Sequence, residues 1–406
     1  MYPAPTMFFL AWGGNHFTPL LHFYRTVAHF APWQVNLMLG MYVIGLIPGL
    51  LIAPTLSERH GRKPLVLVGA LLGLLGTLLL ASSQDTFLLL CLGRALAGTG
   101  LGIAMSVGTS WMKELSSPPF ELHAAATVGA RRPALTLTLG FGIGAAVTGS
   151  LAQWGPAPGV TPFVLHGAVS VVALLLLLRA PETVPRGVSS GAAWWRRFAV
   201  PTARTRRFRR LILPAAPWVF GASGVAYAIM PAVVSARLGG WATLYATVLT
   251  VLTLGSGAIV QSLVPWINRH THGRGLIVGL ALMSIGMMLA VVASLVGNPW
   301  LAFVVALVLG IAYGILVVAG LIIVQSIAGP RELAGLTGIY YALCYSGFLS
   351  PTIFALLLPI FPYALSLTVT AGLCLLSLTL VSLEMRRTRA ERPEPDPDTP
   401  AHARAT

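Results

Sequence analysis

The feature that most constrains this 406-residue chain is a succession of apolar runs, each close to the thickness of a bilayer core, joined by short polar stretches. A helix needs about 20 apolar residues to cross hydrocarbon. Runs of that kind occupy about 6–28, 33–55, 64–82, 86–110, 134–154, 161–180, 208–235, 241–266, 275–296, 299–326, 334–358 and 361–384. Charged residues make up only 9% of the chain, against roughly 25% in a soluble protein, so a water-soluble fold is excluded. The expected fold is an all-α membrane protein with twelve transmembrane helices. The first run has no basic residue before it and no small-residue cleavage site. It is therefore expected to stay as helix 1 rather than be removed as a signal peptide.

Charge sets the expected orientation. Of the 26 Lys and Arg residues, 23 fall on alternate loops and the tail, beginning with the loop after the second run; the others are Arg25, Arg94 and Arg237. Basic loops stay in the cytoplasm, so both termini are expected there, in a multi-pass protein of the cell membrane. Anionic lipid headgroups are the expected partner of that face. Nucleic acid is not expected despite a net charge of +15, because no single soluble face carries the charge. Residues 181–207 are rich in Pro, Gly, Ser and Arg and divide the chain into six-helix halves, 1–180 and 208–384. Within that linker, Trp194 and Trp195 precede Arg196 and Arg197, a pattern suited either to a headgroup-level amphipathic piece or to a solvated linker. Residues 385–406 form a tail that is expected to be disordered, since it has few apolar residues to bury. Cys91, Cys344 and Cys374 lie inside apolar runs, without disulfide or metal-site spacing. His60-Gly61-Arg62 recurs as His272-Gly273-Arg274 at the equivalent place in the second half. Duplicated halves with a substrate between them near mid-membrane are one transporter architecture.

Pro54-Thr55-Leu56-Ser57-Glu58-Arg59-His60-Gly61-Arg62-Lys63 resembles the loop signature of the major facilitator superfamily, with Pro54 in place of its glycine and Glu58 in place of its aspartate. Arg94, Gly98 and Gly100 resemble that family's Arg-x-x-x-Gly-x-Gly pattern on helix 4. The resemblance implies two pseudo-symmetric six-helix bundles, and its bacterial efflux-type members imply export. Helix 5 carries Gly140, Gly142, Gly144 and Gly149 without the Gly-Pro pair of drug/proton antiporters. The resemblance also implies a conformational latch made of Glu58, Arg59, Gly61, Arg62, Lys63 and Glu114. In it Glu58 faces the N-terminal end of helix 11 near Thr337 and Gly338, and Arg59 or Arg62 pairs with Glu114.

None of the eleven acidic residues sits in the middle of a span. Coupling through a buried carboxylate is therefore disfavoured, and protons would have to use histidine or the loop acids. The intramembrane charge is positive instead. Asn15, Thr18, His22 and Arg25 recur at helical spacing on one face of helix 1. A polar stripe of this kind faces a cavity or another helix, not lipid. Arg94 is read either as a cavity cation or as a tie donating to helix 1 carbonyls. His16 points to a neighbouring face, and His166 reads as a hydrogen-bonded core residue. Phe220, Gly224, Tyr227 and Pro231 share one face of helix 7, and Tyr341, Tyr345 and Phe348 share one face of helix 11. The substrate and coupling candidates are accordingly Asn15, Thr18, His22, Arg25, Arg94, Tyr227, Tyr341 and Tyr345.

No Gly-x-x-x-x-Gly-Lys-Ser/Thr loop occurs, so direct ATP drive is not expected. The chain is read as a non-enzymatic secondary transporter without cofactor or metal, working as a monomer on a small-molecule substrate and coupled to protons if His22 titrates. Export of an amphipathic compound is the first expectation. Uptake of an organic anion and a non-transporting receptor or scaffold are the alternatives.

Overall fold

The computed structural model describes residues 2–122, 126–184, 200–329 and 332–390. The Trp194 to Arg197 stretch, Arg331 and the tail beyond Ala390 lie outside the described residues. Every regular element is helical, and ten helices are long and apolar enough to cross a membrane among the described residues.

The first apolar run is not one continuous α-helix. It forms α1 (Pro3–Asn15), a tight 3-10 turn at Thr18–Leu20 and a short helix at Leu21–Thr26. Pro19 accounts for the break, because its ring removes a backbone donor and crowds the preceding turn. Next come α2 (Pro32–His60), α3 (Arg62–Ser82) and α4 (Phe87–Leu115), then α5 (Ala126–Trp154) and α6 (Thr161–Leu177). The later helices are α7 (Phe208–Arg237), α8 (Gly239–Gln261), α9 (Gly275–Val296), α10 (Pro299–Ile327), α11 (Gly335–Leu357) and α12 (Tyr363–Ala390).

Several boundaries differ from the hydropathy reading, among them the start of α5, which lies at Ala126 rather than near 134. α8 stops at Gln261, and residues Val264–His270 form a separate short helix with Pro265 in its first turn. α6 has only 17 residues. α12 runs on through Arg386 and Arg387 to Ala390, past the expected end at Glu384; Arg206 and Arg210 pair with Glu384 at 3.2 and 2.9 Å and anchor that turn. π turns interrupt α4 at Ala104–Gly108 and α7 at Val225–Ile229. In α4 the Ser106 hydroxyl donates to Gly102 O at 2.8 Å and Thr109 to Met105 O at 2.7 Å. In α7 the bulge falls just before Pro231, which cannot donate to the turn preceding it.

Small residues let backbones meet. A side chain at Gly98 would run into the Tyr42 carbonyl, one at Gly45 into the Ala95 carbonyl and one at Gly102 into the Leu46 carbonyl, so α2 and α4 pack backbone to backbone. α4 also packs on α3, while α1 packs on α5 and α6. In the second half of the chain, α10 packs on α8 and α9, and α9 on α12; α7 packs on both α10 and α11. The two halves of the sequence meet where α5 crosses α8 and where α2 crosses α11.

Candidate functional site

A cavity of about 300 Å³ lies between these helices. Asn15, Thr18, Arg94, Tyr227, Tyr341 and Tyr345 all line it, so most of the candidates from the sequence converge on one space. His22 and Arg25 are not among its lining residues. The stripe had assumed an unbroken helix, and the 3-10 turn at Thr18–Leu20 rotates everything after it. His22 sits on the short helix beyond that turn, and Arg25 approaches Tyr363 of α12.

Arg94 defines one wall. Its side chain is fully buried, with its guanidinium between the rings of Phe17 and Tyr42, 4.8 and 4.7 Å from their centroids. It donates to the carbonyls of Met38, Gly13 and Gly14 at 3.3 to 3.5 Å, which are long for hydrogen bonds of a charged donor. No carboxylate pairs with it among the described residues. The geometry thus has this arginine tying α4 to α1 and α2, and it also stands among the residues that line the cavity. Thr18 donates to Asn15 Oδ1 at 2.9 Å, and Asn15 donates in turn to Phe141 O of α5 at 3.3 Å, which fixes the polar end of α1.

The opposite wall is aromatic. Phe220 of α7 stacks on Tyr345 of α11 with centroids 4.1 Å apart, and on Phe348 at 5.3 Å. Tyr345 also donates to Met105 Sδ of α4 at 3.3 Å, reaching across to the arginine side. Tyr42, Tyr313 and Gln261 line the same space and were not singled out from the sequence. Each is an isolated polar or aromatic residue in an apolar run, and their only sequence signal was that isolation.

The cavity is asymmetric along the helix axes. Its lining includes Ala134 and Thr138 near the start of α5 and Leu254 and Gln261 near the end of α8, on the side of the basic loops. On the other side the same two helices are pinned together. Gln153 donates to Gly240 O at 2.9 Å and accepts from Leu244 N–H at 3.1 Å, and Gly149 leaves no room between α5 and Thr247. Thr352 of α11 likewise donates to Asn36 O of α2 at 2.7 Å.

The loop between α2 and α3 forms a second cluster. Gly61 has φ of +97°, a conformation that favours glycine, and turns the chain at once from α2 into α3. Arg62 Nε and Nη2 donate to Glu114 Oε1 at 3.2 and 3.1 Å, and its Nη1 donates to Ser57 Oγ at 2.5 Å. Of the two arginines proposed for Glu114, Arg62 makes the pair, while Arg59 is exposed. Lys63 Nζ donates to Leu178 O at 2.7 Å. Gly338 abuts Leu51 of α2, about two turns before the exposed Glu58. Glu182, not anticipated from the sequence, accepts from the backbone N–H groups of Arg62 and Lys63 at 2.9 and 3.0 Å. It thereby places a carboxylate at the N-terminus of α3, where the helix dipole favours it.

Apolar helices of spanning length around a cavity between the two halves of the sequence form an arrangement that solute carriers share. The sequence model of the Major Facilitator Superfamily matches residues 4–349, and the chain belongs to that family. The chain is 28% identical over 163 residues to the arabinose-proton symporter of Bacillus subtilis (strain 168), covering 40% of this chain and 35% of that protein. It is 30% identical over 157 residues to the 3-(3-hydroxy-phenyl)propionate transporter of Escherichia coli (strain K12), covering 37% and 35%. These matches thus span about a third of each relative's length. Among solved structures, a variant of the nucleoside transporter NupG superposes with a TM-score of 0.74 at 13% identity, covering 94% of this chain and 98% of that one. That likeness concerns the fold alone.

Proposed function

We propose that this chain is a secondary transporter of the cytoplasmic membrane that takes up a small organic acid with an aromatic or apolar body, by alternating access. The observation that carries this reading is Arg94, a buried cation without a carboxylate partner among the described residues, in a cavity whose far wall is aromatic. Burying an unpaired charge is costly, and an anionic substrate supplies the missing counter-charge. Stacked rings facing it suit the body of such a substrate.

The divided first segment and the 17-residue α6 bring ten crossings to twelve. That arrangement gives two six-helix bundles, residues 1–180 and 208–384, joined by the 181–207 linker, with both termini on the cytoplasmic side of the basic loops. In that orientation the cavity opens inward. The Arg62, Glu114 and Glu182 cluster serves as the structural core of the latch on this face. One chain encloses the whole cavity, so a monomer suffices. Uptake replaces the export expected from efflux-type members: the named relatives are a proton symporter and a transporter of an aromatic propionate, and Arg94 suits the latter's carboxylate. No bond chemistry is assigned to the site.

The test is binding and counterflow with the purified chain in proteoliposomes, using 3-(3-hydroxyphenyl)propionate and benzoate as probes. Arg94→Gln is expected to weaken binding tenfold or more, since hydrogen bonds to charged groups contribute about 1.5–3 kcal/mol. Arg94→Lys should retain part of it. If the carboxylate affinity of Arg94→Gln equals that of the wild type, the organic-acid reading is wrong.

A further inference from the structure

One buried group beside the cavity has no assigned task. His16, at the end of α1, is 0% exposed, and neither of its ring nitrogens has a hydrogen-bond partner. A neutral imidazole always carries one donor and one acceptor, and buried polar atoms without partners are rare enough to need a reason. A phenyl ring would fill this space with no polar atom left over. The ring already packs edge-on against Phe163, centroids 4.8 Å apart, and edge-on against His166 at the same separation.

His166 is differently placed. Its Nε2 lies 2.8 Å from Phe9 O, which can only accept, so Nε2 carries a hydrogen. Its Nδ1 lies 2.9 Å from the Thr77 hydroxyl. Both nitrogens of His166 are thus held in place by partners, whereas both nitrogens of His16 are unpartnered. The charged and titratable groups acting on His16 are His166 from α6 and Arg94 from α4, and no carboxylate acts on it among the described residues. Arg94 is close: the carbonyls of Gly13 and Gly14 that it bonds immediately precede Asn15 and His16.

We infer that His16 is the proton-carrying residue of this transporter, taking up one proton when an organic anion binds Arg94 and losing it when the anion leaves. This rests on the reading of the cavity as an organic-anion site. With Arg94 uncompensated, a second cation on His16 is repelled; an anion on Arg94 cancels that repulsion and attracts the proton. The proton comes from water to the imidazole lone pair and returns to water on the other side. Anion and proton therefore travel together, and the site gains no net charge. By linkage, each ligand strengthens binding of the other.

The test is a nitrogen-15 histidine NMR titration of the full chain in nanodiscs between about pH 8 and 5, where imidazoles change charge. The His16 signal is identified by its loss in His16→Gln, and by elimination with His166→Gln if the first variant does not fold. At fixed pH, benzoate is expected to raise the protonated fraction of His16, and Arg94→Gln to raise it without benzoate. Benzoate affinity should strengthen by up to about tenfold per pH unit as pH falls in the wild type, and stay flat in His16→Gln. A His16 that stays neutral both with benzoate and in Arg94→Gln overturns the inference, as does a pH dependence unchanged by His16→Gln. If benzoate has no effect while Arg94→Gln still protonates His16, the anion reading fails and the proton site stands.

Discussion

A buried arginine in hydrocarbon is unusual enough that its surroundings have to be supplied by other elements, and here several elements share the task. α1 provides two carbonyls, the turn after it provides the face of Phe17, and α2 provides one carbonyl and the face of Tyr42. The arginine was legible in the sequence because a charge inside an apolar run stands out. Its neighbours were not, since Tyr42 and Phe17 are ordinary membrane-helix residues until folding stacks them on a cation. Glu182 shows the same limit. It reads as a linker carboxylate, yet it gathers the N–H groups of Arg62, Lys63, Thr183 and Val184. Glu182→Gln removes the charge and half of the acceptor capacity. The expected loss is about 1 kcal/mol, allowing for solvent screening of a part-exposed group. It should appear as a melting temperature lowered by a few degrees, and an unchanged melting curve would remove Glu182 from the clamp.

At the scale of the element, hydropathy locates helices well because the bilayer demands internally satisfied backbones, but it says little about how a helix is broken. The π turns in α4 and α7 and the 3-10 turn after α1 do not interrupt the apolar composition, so a window average passes over them. The break after α1 explains why Asn15 and Thr18 reach the cavity while His22 and Arg25 do not. Pro19 was the available signal. The α2–α4 contact has little room to adjust, because Gly98 meets the carbonyl of Tyr42 rather than a side chain that could move. Gly98→Val is therefore expected to exceed the about 1–3 kcal/mol of ordinary overpacking. Size-exclusion chromatography of the detergent-purified variant should show loss of the folded, monodisperse peak, and a normal peak with normal thermal stability would refute the close approach.

For the whole molecule, the seam between α5 and α8 is closed at one end of the cavity and lines it at the other. At one end Gln153 and Gly149 hold the helices together, and at the other Ala134 and Gln261 stand on the cavity wall. A branched side chain in place of Gly149 cannot share the space of Thr247. Gly149→Val should shift the population toward the conformation open on that side. Spin labels on the α5 and α8 ends, read by pulsed-dipolar distances, are expected to move apart relative to wild type. An unchanged distance distribution would mean that this contact does not set the conformational balance. The residues alone determined that the chain is a helical membrane protein, which loops carry the charge, and that its intramembrane ions are cations. Those follow from composition and spacing, because the bilayer acts on every segment in the same way. Only the tertiary structure decided that Arg94 faces Phe220 and Tyr345 across a common space, that Glu182 closes the Arg62 loop, and that His16 is left without a partner. Such facts depend on helices far apart in the chain meeting at particular rotations, and rotation is set by close packing rather than by hydrophobicity.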